Sequence, residues 1–367
     1  MKKKIAIIGL KGLPAFGGAA RAMESVINIL KDEYEFTIYS ISTHTEKKGY
    51  YNGYEQIVLT GYKNKILNTF LYYIKSAVHC LIYGHYNLIH MNHATSGFII
   101  PFLKIRYKII TTLRGVYTEE RFEDKFSRFS NKMFRLFQYF TFKFSDILIS
   151  VSKYEIDFCK SSSSKPVLHI PNGVHSRENL AFQNLKHADY LLFAASRIYG
   201  VKGCDIFLKS LKELRYRGKV LIIGDLNHDP DHKVLLVRLA RGLDVEFFGL
   251  IHEKALLMKY LDEARLFVFP SRIEGMSNML LEAVSMKCPL ICSDIKANTD
   301  ILSKNEVTFF NSGDHQNLAS KISWALNHKS EITSKAQRAC EKLKRKYTWE
   351  IIAEQYRKIY EQMLCDY

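Results

Sequence analysis

The stretch "FPSRIEGMSNMLLEAVSMKCPLICSD" carries two glutamates, Glu274 and Glu282, with seven residues between them. "GMSN" has loop chemistry and "MLLEAVSM" has helical spacing. A strand should therefore end at Pro270, a loop carry Glu274, and a helix start near Asn278 with Glu282 about one turn in. The loop and first-turn N–H groups, at Ser277, Asn278 and Met279, lack intrahelical partners and attract an anion. An ionised carboxylate is a pure acceptor and suits hydroxyls on either side of that anion. Diphosphate at the helix start, sugar hydroxyls at one glutamate and ribose hydroxyls at the other would hold a sugar nucleotide. Upstream, "SRIYGVKG" sets Arg197 and Lys202 just after an apolar run. Two cations there would neutralise a diphosphate and stabilise it as a leaving group. Solvation at the surface is the ordinary fate of Lys and Arg; a position at the carboxyl end of a strand argues for the site.

Near the start, "IIGLKGLPAFGGAAR" runs from an apolar stretch through Gly9, Gly12, Gly17 and Gly18 into "AMESVINIL", a helix by its spacing. The glycines fit neither G-x-G-x-x-G nor a P-loop. Two readings stand: a turn of structural use only, or Gly17 and Gly18 letting backbone N–H groups approach a phosphate at the helix start.

These residues need a scaffold, and the chain's 367 residues suffice for two domains of ordinary size. Short apolar runs, "KIAIIG", "FTIYSI", "LIHM", "KIITT" and "DILISV", alternate with helix-like stretches. After "HIPNGV" the pattern restarts with "YLLFAAS", "KVLIIG", "VEFFG", "LFVFPS" and "PLICSD". Such runs predict parallel sheets covered on both faces, hence two doubly wound α/β domains joined near residues 171–187. Ligands of such sheets bind beyond the strands' carboxyl ends, so two facing domains would form a cleft.

Bulk properties narrow the partners. The composition, 47% apolar and 25% charged, is that of a globular protein. The seven cysteines lack framework spacing, and "CPLIC" reads as a buried strand, which points to reduced thiols and a cytosolic setting. "MKKKIAIIGL" reads as a strand before a turn, not a signal peptide. No stretch reaches the roughly 18 uncharged apolar residues of a membrane span; "FLYYIKSAVHCLIYG" contains Lys75 and His79. Of the net charge of +16, +11 falls in residues 1–180, which would draw that half to an anionic partner. In residues 121–145, Phe122, Phe126, Phe129, Met133, Phe137, Phe140 and Phe144 form one helical stripe, with Lys125, Arg128, Lys132 and Arg135 off it. Burial of that stripe against the first sheet and contact of the flanking cations with an anionic membrane are compatible. "DLNHDPDH", residues 225–232, offers an Asp-x-Asp with histidines, but reads as a polar surface loop and not as a metal site.

Together, "SRIYGVKG", "EGMSNMLLE", "IPNGV", the paired Gly17–Gly18 and the closing "YTWEIIAEQYRKIY" resemble the retaining GT-B glycosyltransferases of the group-1 family, glycosyltransferase family 4. The resemblance implies two Rossmann-like domains facing each other across a cleft. Residues 1–171 would form the acceptor-side domain, with a last helix over about 347–367 packing back on it, and 172–346 the nucleotide-sugar domain. It further implies that Arg197 and Lys202, helped by Gly18, bind the donor diphosphate. Glu274 would contact the transferred sugar, Glu282 the ribose, and the backbone at Leu250 the base. His93 matches a histidine facing the donor sugar, whereas His90 belongs to a strand interior. Arg21 and Arg114 fall on the acceptor side. Ala20 stands where many relatives have an acid, Arg114 replaces a frequent histidine, and His175 a common aspartate.

The implied reaction retains anomeric configuration, uses no metal or cofactor, and needs no covalent nucleophile. The donor would be a nucleotide-diphosphate sugar, first a UDP-sugar. The acceptor would be a glycan or polyprenyl-linked saccharide of bacterial surface polysaccharide, met at the inner face of the membrane. A nucleic-acid binder would explain the charge but not the glutamate pair or Arg197 and Lys202. A sugar-nucleotide epimerase or hydrolase of similar architecture is the nearer rival. A glycan phosphorylase lacks a lysine context for pyridoxal phosphate.

Overall fold

A computed structural model describes residues 2–15, 17–117, 128–175 and 188–365. The chain divides into two compact units: Met1–Asn172 with Trp349–Tyr367, and Gly173–Thr348.

The first unit is built on eight strands: β1 (Lys3–Lys11), β2 (Tyr34–Ile41), β3 (Gly49–Tyr51), β4 (Tyr54–Leu59), β5 (Leu88–Met91), β6 (Lys108–Leu113), β7 (Ile147–Ser150) and β8 (Val167–His169). They lie in the order β3-β4-β2-β1-β5-β6-β7-β8. Period-two alternation sends successive residues of β1 to opposite layers. Ile5 and Ile7 join one core with Met23, Ile27, Tyr356 and Tyr360, while Ala6 and Ile8 join another with Tyr39, Tyr72 and Ile100. That is why the run is apolar throughout: both faces are covered. The helix Trp349–Cys365 completes the first of these layers. Its Arg357 grips both oxygens of Glu33 at 2.6 Å, and the Tyr360 hydroxyl meets His90 Nδ1 at 2.7 Å.

The second unit has six strands, all parallel: β9 (Ala188–Arg197), β10 (Lys219–Asp225), β11 (Val245–Gly249), β12 (Ala264–Phe269), β13 (Leu290–Ser293) and β14 (Thr308–Phe310), in the order β11-β10-β9-β12-β13-β14. Leu192 and Ala194 face one layer, and Leu191 and Phe193 the other.

Three features differ from the sequence expectation. The first sheet is not wholly parallel, because β3 runs antiparallel to β4 through a hairpin at Asn52 and Gly53, with φ of 51° and 88°. Asn-Gly is the dipeptide that tolerates two positive φ angles, so the signal was present in "YYNGYE". Second, the described part of the phenylalanine stripe is only half-buried on the helix Arg128–Phe144, with Phe144 packed on the core. Gln138, Thr141 and Phe142 are buried there, while Phe137, Phe140 and Phe144 are half-buried. Gly97 lets the neighbouring turn approach the backbone so closely that a Cβ would lie 1.8 Å from the Phe137 carbonyl oxygen. The Thr141 hydroxyl donates to the Ala94 carbonyl at 2.8 Å across that contact. Phe122, Lys125 and Phe126 lie outside the described residues, as do the side chains of Arg128 and Phe129. Third, "DLNHDPDH" is only in part a loop. Asp229 caps the helix Pro230–Ala240 by accepting from His232 N, with proline in its first turn. Among the described residues no group of three His, Cys, Asp or Glu could hold a metal ion.

Cys288 and Cys292 are buried with four other cysteines, and only Cys365 is exposed. Among the described residues no helix is long and apolar enough to cross a membrane.

Candidate functional site

In the second sheet the chain proceeds from β9 outward to β11, then returns to lay β12 on the other side of β9. Connections leaving β9 and β12 therefore diverge and open a crevice at their carboxyl ends. Arg197 ends β9, Lys202 closes the 3-10 turn Gly200–Lys202 that follows, and Glu274 lies in the loop after β12. The close approach of the two loops explains the glycine at Gly203. Its φ is +71°, and a Cβ there would lie 2.0 Å from the Pro270 carbonyl oxygen.

Lys202 Nζ donates to Glu274 Oε1 at 2.6 Å, and the Ser271 hydroxyl donates to the same oxygen at 2.8 Å. Burial opposes the charge on Lys202, but the Glu274 carboxylate outweighs it and raises the amine above its ordinary range; Arg197 pushes the other way. The pair is thus a cation and an anion fixed in register, with exposed Arg197 near enough to be felt.

The helix Asn278–Ser285 begins four residues beyond Glu274. Ser277 caps it, its side chain accepting from Leu280 N. The Ser277 side chain is thereby turned to its own helix. Glu282, one turn in, forms an ion pair with Lys254, the first residue of the helix Lys254–Glu263 after β11. Leu250, which follows β11, is exposed beside the left-handed Gly249.

Sequence reasoning missed Lys254 and the group that ties the two loops together. Arg272 donates to both oxygens of Asp205, at 2.9 and 2.8 Å, and to the Gly200 carbonyl, while its own N–H donates to the Val201 carbonyl at 2.8 Å. Burial would raise the Asp205 carboxyl, but the Arg272 hydrogen bonds and charge hold it below the usual range. "SRIEG" contained the signal: an arginine two residues before the glutamate. A groove of this unit lies along β14, lined by Asp294, Phe309, Trp324 and Lys335 among others, and includes none of the site residues.

The first sheet has its own switch between β1 and β5. The glycine-rich turn follows β1, and His93 follows β5. Gly9 and Gly12 have structural reasons: φ of +111° and +154°, with Cβ positions crowded by Asn92 and Thr45. Gly17, the N-cap of the helix Gly18–Leu30, has an ordinary φ of −111°, and a Cβ there would meet nothing within 4 Å. Among the described residues nothing demands its bareness. Arg21 turns back on this segment, its Nε donating to the Ala15 carbonyl at 3.2 Å.

His93 caps the turn Ala94–Ile99, its Nδ1 accepting from Thr95 N at 3.3 Å. Burial, together with the nearby charges of Lys11 and Arg114, depresses its pKa to about 4. A neutral ring whose Nδ1 accepts carries its proton on Nε2, so His93 offers a donor rather than a base. His90 is a core residue, bridging Tyr360 and the Thr112 hydroxyl, with a pKa pushed by burial to about 3. Arg114 follows β6 and is held by Asn92 and Asn172.

Comparison with known proteins fits both units. Residues 188–328 match the family model described as "Glycosyl transferases group 1", and residues 16–178 that of "Glycosyltransferase Family 4". The capsular polysaccharide biosynthesis glycosyltransferase CapM of Staphylococcus aureus is 24% identical over 189 residues, 50% of this chain and 49% of that protein. In Campylobacter jejuni, an N-acetylgalactosamine-N,N'-diacetylbacillosaminyl-diphospho-undecaprenol 4-alpha-N-acetylgalactosaminyltransferase is 25% identical over 245 residues, 54% of this chain and 63% of that protein. The chain thus spans less than two thirds of either relative. Among solved structures, the sucrose-phosphate synthase of Thermosynechococcus elongatus superposes with a TM-score of 0.82 at 19% identity, covering 100% of both chains. Anabaena Alr3699/HepE, solved in complex with UDP-glucose, superposes with a TM-score of 0.77 at 16% identity, covering 98% of this chain and 99% of that one. With its two Rossmann-like units of the GT-B type and family models matching each of them, this chain belongs to the group-1 glycosyltransferases, glycosyltransferase family 4.

Proposed function

We propose that this glycosyltransferase moves a hexosyl, N-acetylhexosaminyl or deoxyhexosyl group, with retention of configuration, from a nucleotide-diphosphate sugar to a glycan or polyprenyl-linked saccharide in bacterial surface polysaccharide assembly. The Lys202–Glu274 pair at the β9/β12 switch carries the donor half of the reading. Arg197, Lys202 and the N–H groups of Ser277, Asn278 and Met279 take the diphosphate, Glu274 accepts from sugar hydroxyls, and Glu282 accepts from the ribose. The first unit offers a donor sugar His93 Nε2 and a phosphate the bare backbone at Gly17 and Gly18. As the sugar–phosphate bond breaks, charge grows on the leaving diphosphate, and fixed cations stabilise it without reorganising. The acceptor hydroxyl attacks the same face and passes its proton to the departing phosphate. Since Arg197 and Lys202 supply the positive charge, turnover proceeds without a divalent cation and survives EDTA.

A UDP-sugar is the first choice of donor, supported by the UDP-glucose bound to HepE. A lipid-diphosphate acceptor is supported by the name of the Campylobacter relative. Melting curves with UDP, GDP, dTDP and their sugars test the donor: a specific rise with one nucleotide identifies its base, since a ligand at 100 times its Kd stabilises by about 2.7 kcal/mol. No rise with any nucleotide would remove the donor site. Release of free sugar at the same rate with and without acceptor would instead favour a hydrolase.

The acceptor's lipid form calls for a membrane footing. Residues 56–118 contain no Asp or Glu and seven Lys or Arg. Within that stretch Ile66, Ile82, Phe102 and Ile105 are 77%, 61%, 59% and 83% exposed. Apolar side chains standing out from a stretch rich in cations and free of acids suit an anionic bilayer surface. We assign this stretch of the first unit, and not the phenylalanine stripe, to the inner leaflet.

A further inference from the structure

Among the described residues Arg114 has no carboxylate partner. Its Nε and Nη2 donate to Asn92 Oδ1 at 3.1 and 2.8 Å, and its Nη1 donates to Asn172 Oδ1 at 2.9 Å. Those are amide oxygens. They satisfy three of the five guanidinium N–H groups and leave one on each terminal nitrogen, the number that two-point binding of an oxyanion needs. Aspartate at either position would hold the guanidinium more strongly and cancel its charge; asparagine holds it and leaves the charge in place. Among the described residues no carboxylate pairs with it; Glu155, buried nearby, accepts instead from Val116 N. His90 and His93 are both kept neutral, and Lys11, at the end of β1, is a second cation felt at His93. Burial presses Arg114 below its ordinary pKa, and the groups that oppose this are the tyrosines 356 and 360.

A half-buried charge that no carboxylate compensates destabilises a fold unless something else offsets it. If Arg114 served only to tie the end of β5 to the chain beyond β8, a neutral donor would do so at lower desolvation cost. The carboxyl ends of β1, β5 and β6 are also where a doubly wound sheet receives its ligand.

We propose that Arg114, with Lys11, forms an anion subsite in the first unit that binds a carboxylate or phosphate group of the acceptor. The proposal rests on the glycosyltransferase reading above and adds that the acceptor is acidic. A carboxylate would belong to an acidic sugar, a phosphate to a lipid diphosphate or a phosphorylated glycan.

The test titrates inorganic phosphate and, separately, glucuronate into the full chain at low salt. The Lys202→Ala variant serves as background, so that the donor diphosphate site is already weakened. Removing Arg114 (Arg114→Gln) should weaken at least one of the two probes tenfold or more, whereas Arg114→Lys, which keeps the charge, should stay within about threefold. Preferential loss of phosphate binding indicates the phosphate source, and of glucuronate the acidic sugar. In the otherwise native chain, Arg114→Gln should bind UDP within twofold of the parent. Unchanged phosphate and glucuronate affinities in Arg114→Gln would overturn the subsite. So would a loss of UDP affinity, which would give Arg114 to the donor. Should Arg114→Gln fail to fold, loss of both probes in Arg114→Lys would overturn it as well. Failure of the wild type to bind any nucleotide is a separate result and strikes the donor reading instead.

Discussion

At the scale of single residues, charge is set by neighbours, and the donor site is the clearest case. Lys202 and Glu274 lie 20% and 11% exposed and hold each other at 2.6 Å. Removing either takes away the other's ionic partner, so the loss combines missing chemistry with misplacement. We expect Lys202→Ala and Glu274→Ala each to lower turnover by about 10²–10³-fold, as loss of one preorganised electrostatic group does elsewhere. Circular dichroism and melting should show a folded chain. Near-parental turnover in either variant would remove that residue from the mechanism. The histidines yield a pH prediction. His90 and His93 are depressed to about 3 and about 4, so between those values and an unfolded pKa near 6.5 the unfolded chain binds more protons. Their contribution is complete above about pH 6.5 and falls as pH drops toward the folded values, by about 1.4 kcal/mol per pH unit for each group. Urea midpoints measured from pH 7 to 5 should decline. A flatter slope in His93→Gln would assign its share, and an unchanged slope would refute the assignment.

At the scale of elements, the helix Trp349–Cys365 is held by its aromatic face more than by its charges. Arg357 and Glu33 are 30% and 41% exposed, and solvent screens them. Arg357→Ala should therefore cost no more than about 1 kcal/mol in denaturant unfolding. Tyr360 is fully buried, edge-on to Tyr34 at 5.5 Å, and hydrogen-bonded to His90. Tyr360→Ala should cost about 3–5 kcal/mol, and Tyr360→Phe about 1–3 kcal/mol through the unpaired imidazole nitrogen. If the arginine variant proved the more damaging, the ranking of packing over surface pairing here would be wrong. The Arg272–Asp205 fork plays the corresponding part between the loops after β9 and β12. As a positioning group, Arg272 should when replaced by lysine lower kcat more than it raises the donor KM, because both site loops persist but lose their fixed spacing.

At the scale of the molecule, positive charge and apolar exposure coincide in one stretch of the first unit, residues 56–118. The helix Lys65–Tyr83 covers the sheet face lined by Ala6, Ile8 and Tyr39 with Tyr72, Tyr73 and Cys80, and stands Ile66, Val78 and Ile82 outward. A surface helix usually turns charge to water, and this one has two lysines and no acid. Sedimentation with anionic vesicles should show binding that weakens as salt rises. The pair Ile82→Glu and Ile105→Glu should abolish vesicle binding while leaving UDP affinity unchanged. Equal binding to neutral and anionic vesicles would refute the electrostatic part, and binding retained in the pair would refute the surface.

Five strands of each sheet and the helix beginning at Asn278 were legible from the chain alone, because strand burial and helix starts are written in short-range spacing; the short β4, β8 and β14 were not read. The Asn52–Gly53 hairpin was equally legible and passed unread. Partners distant in sequence were not legible: Arg272 with Asp205, Lys254 with Glu282, Tyr360 with His90, and Arg114 with Asn92 and Asn172. Nor could periodicity choose the buried face of Arg128–Phe144, which turns on Gly97 some forty residues earlier. Spacing along a chain determines which side chains share a face. Whether a charge is paired, neutralised or left waiting depends on which strand ends the sheet brings together, and only folding decides that.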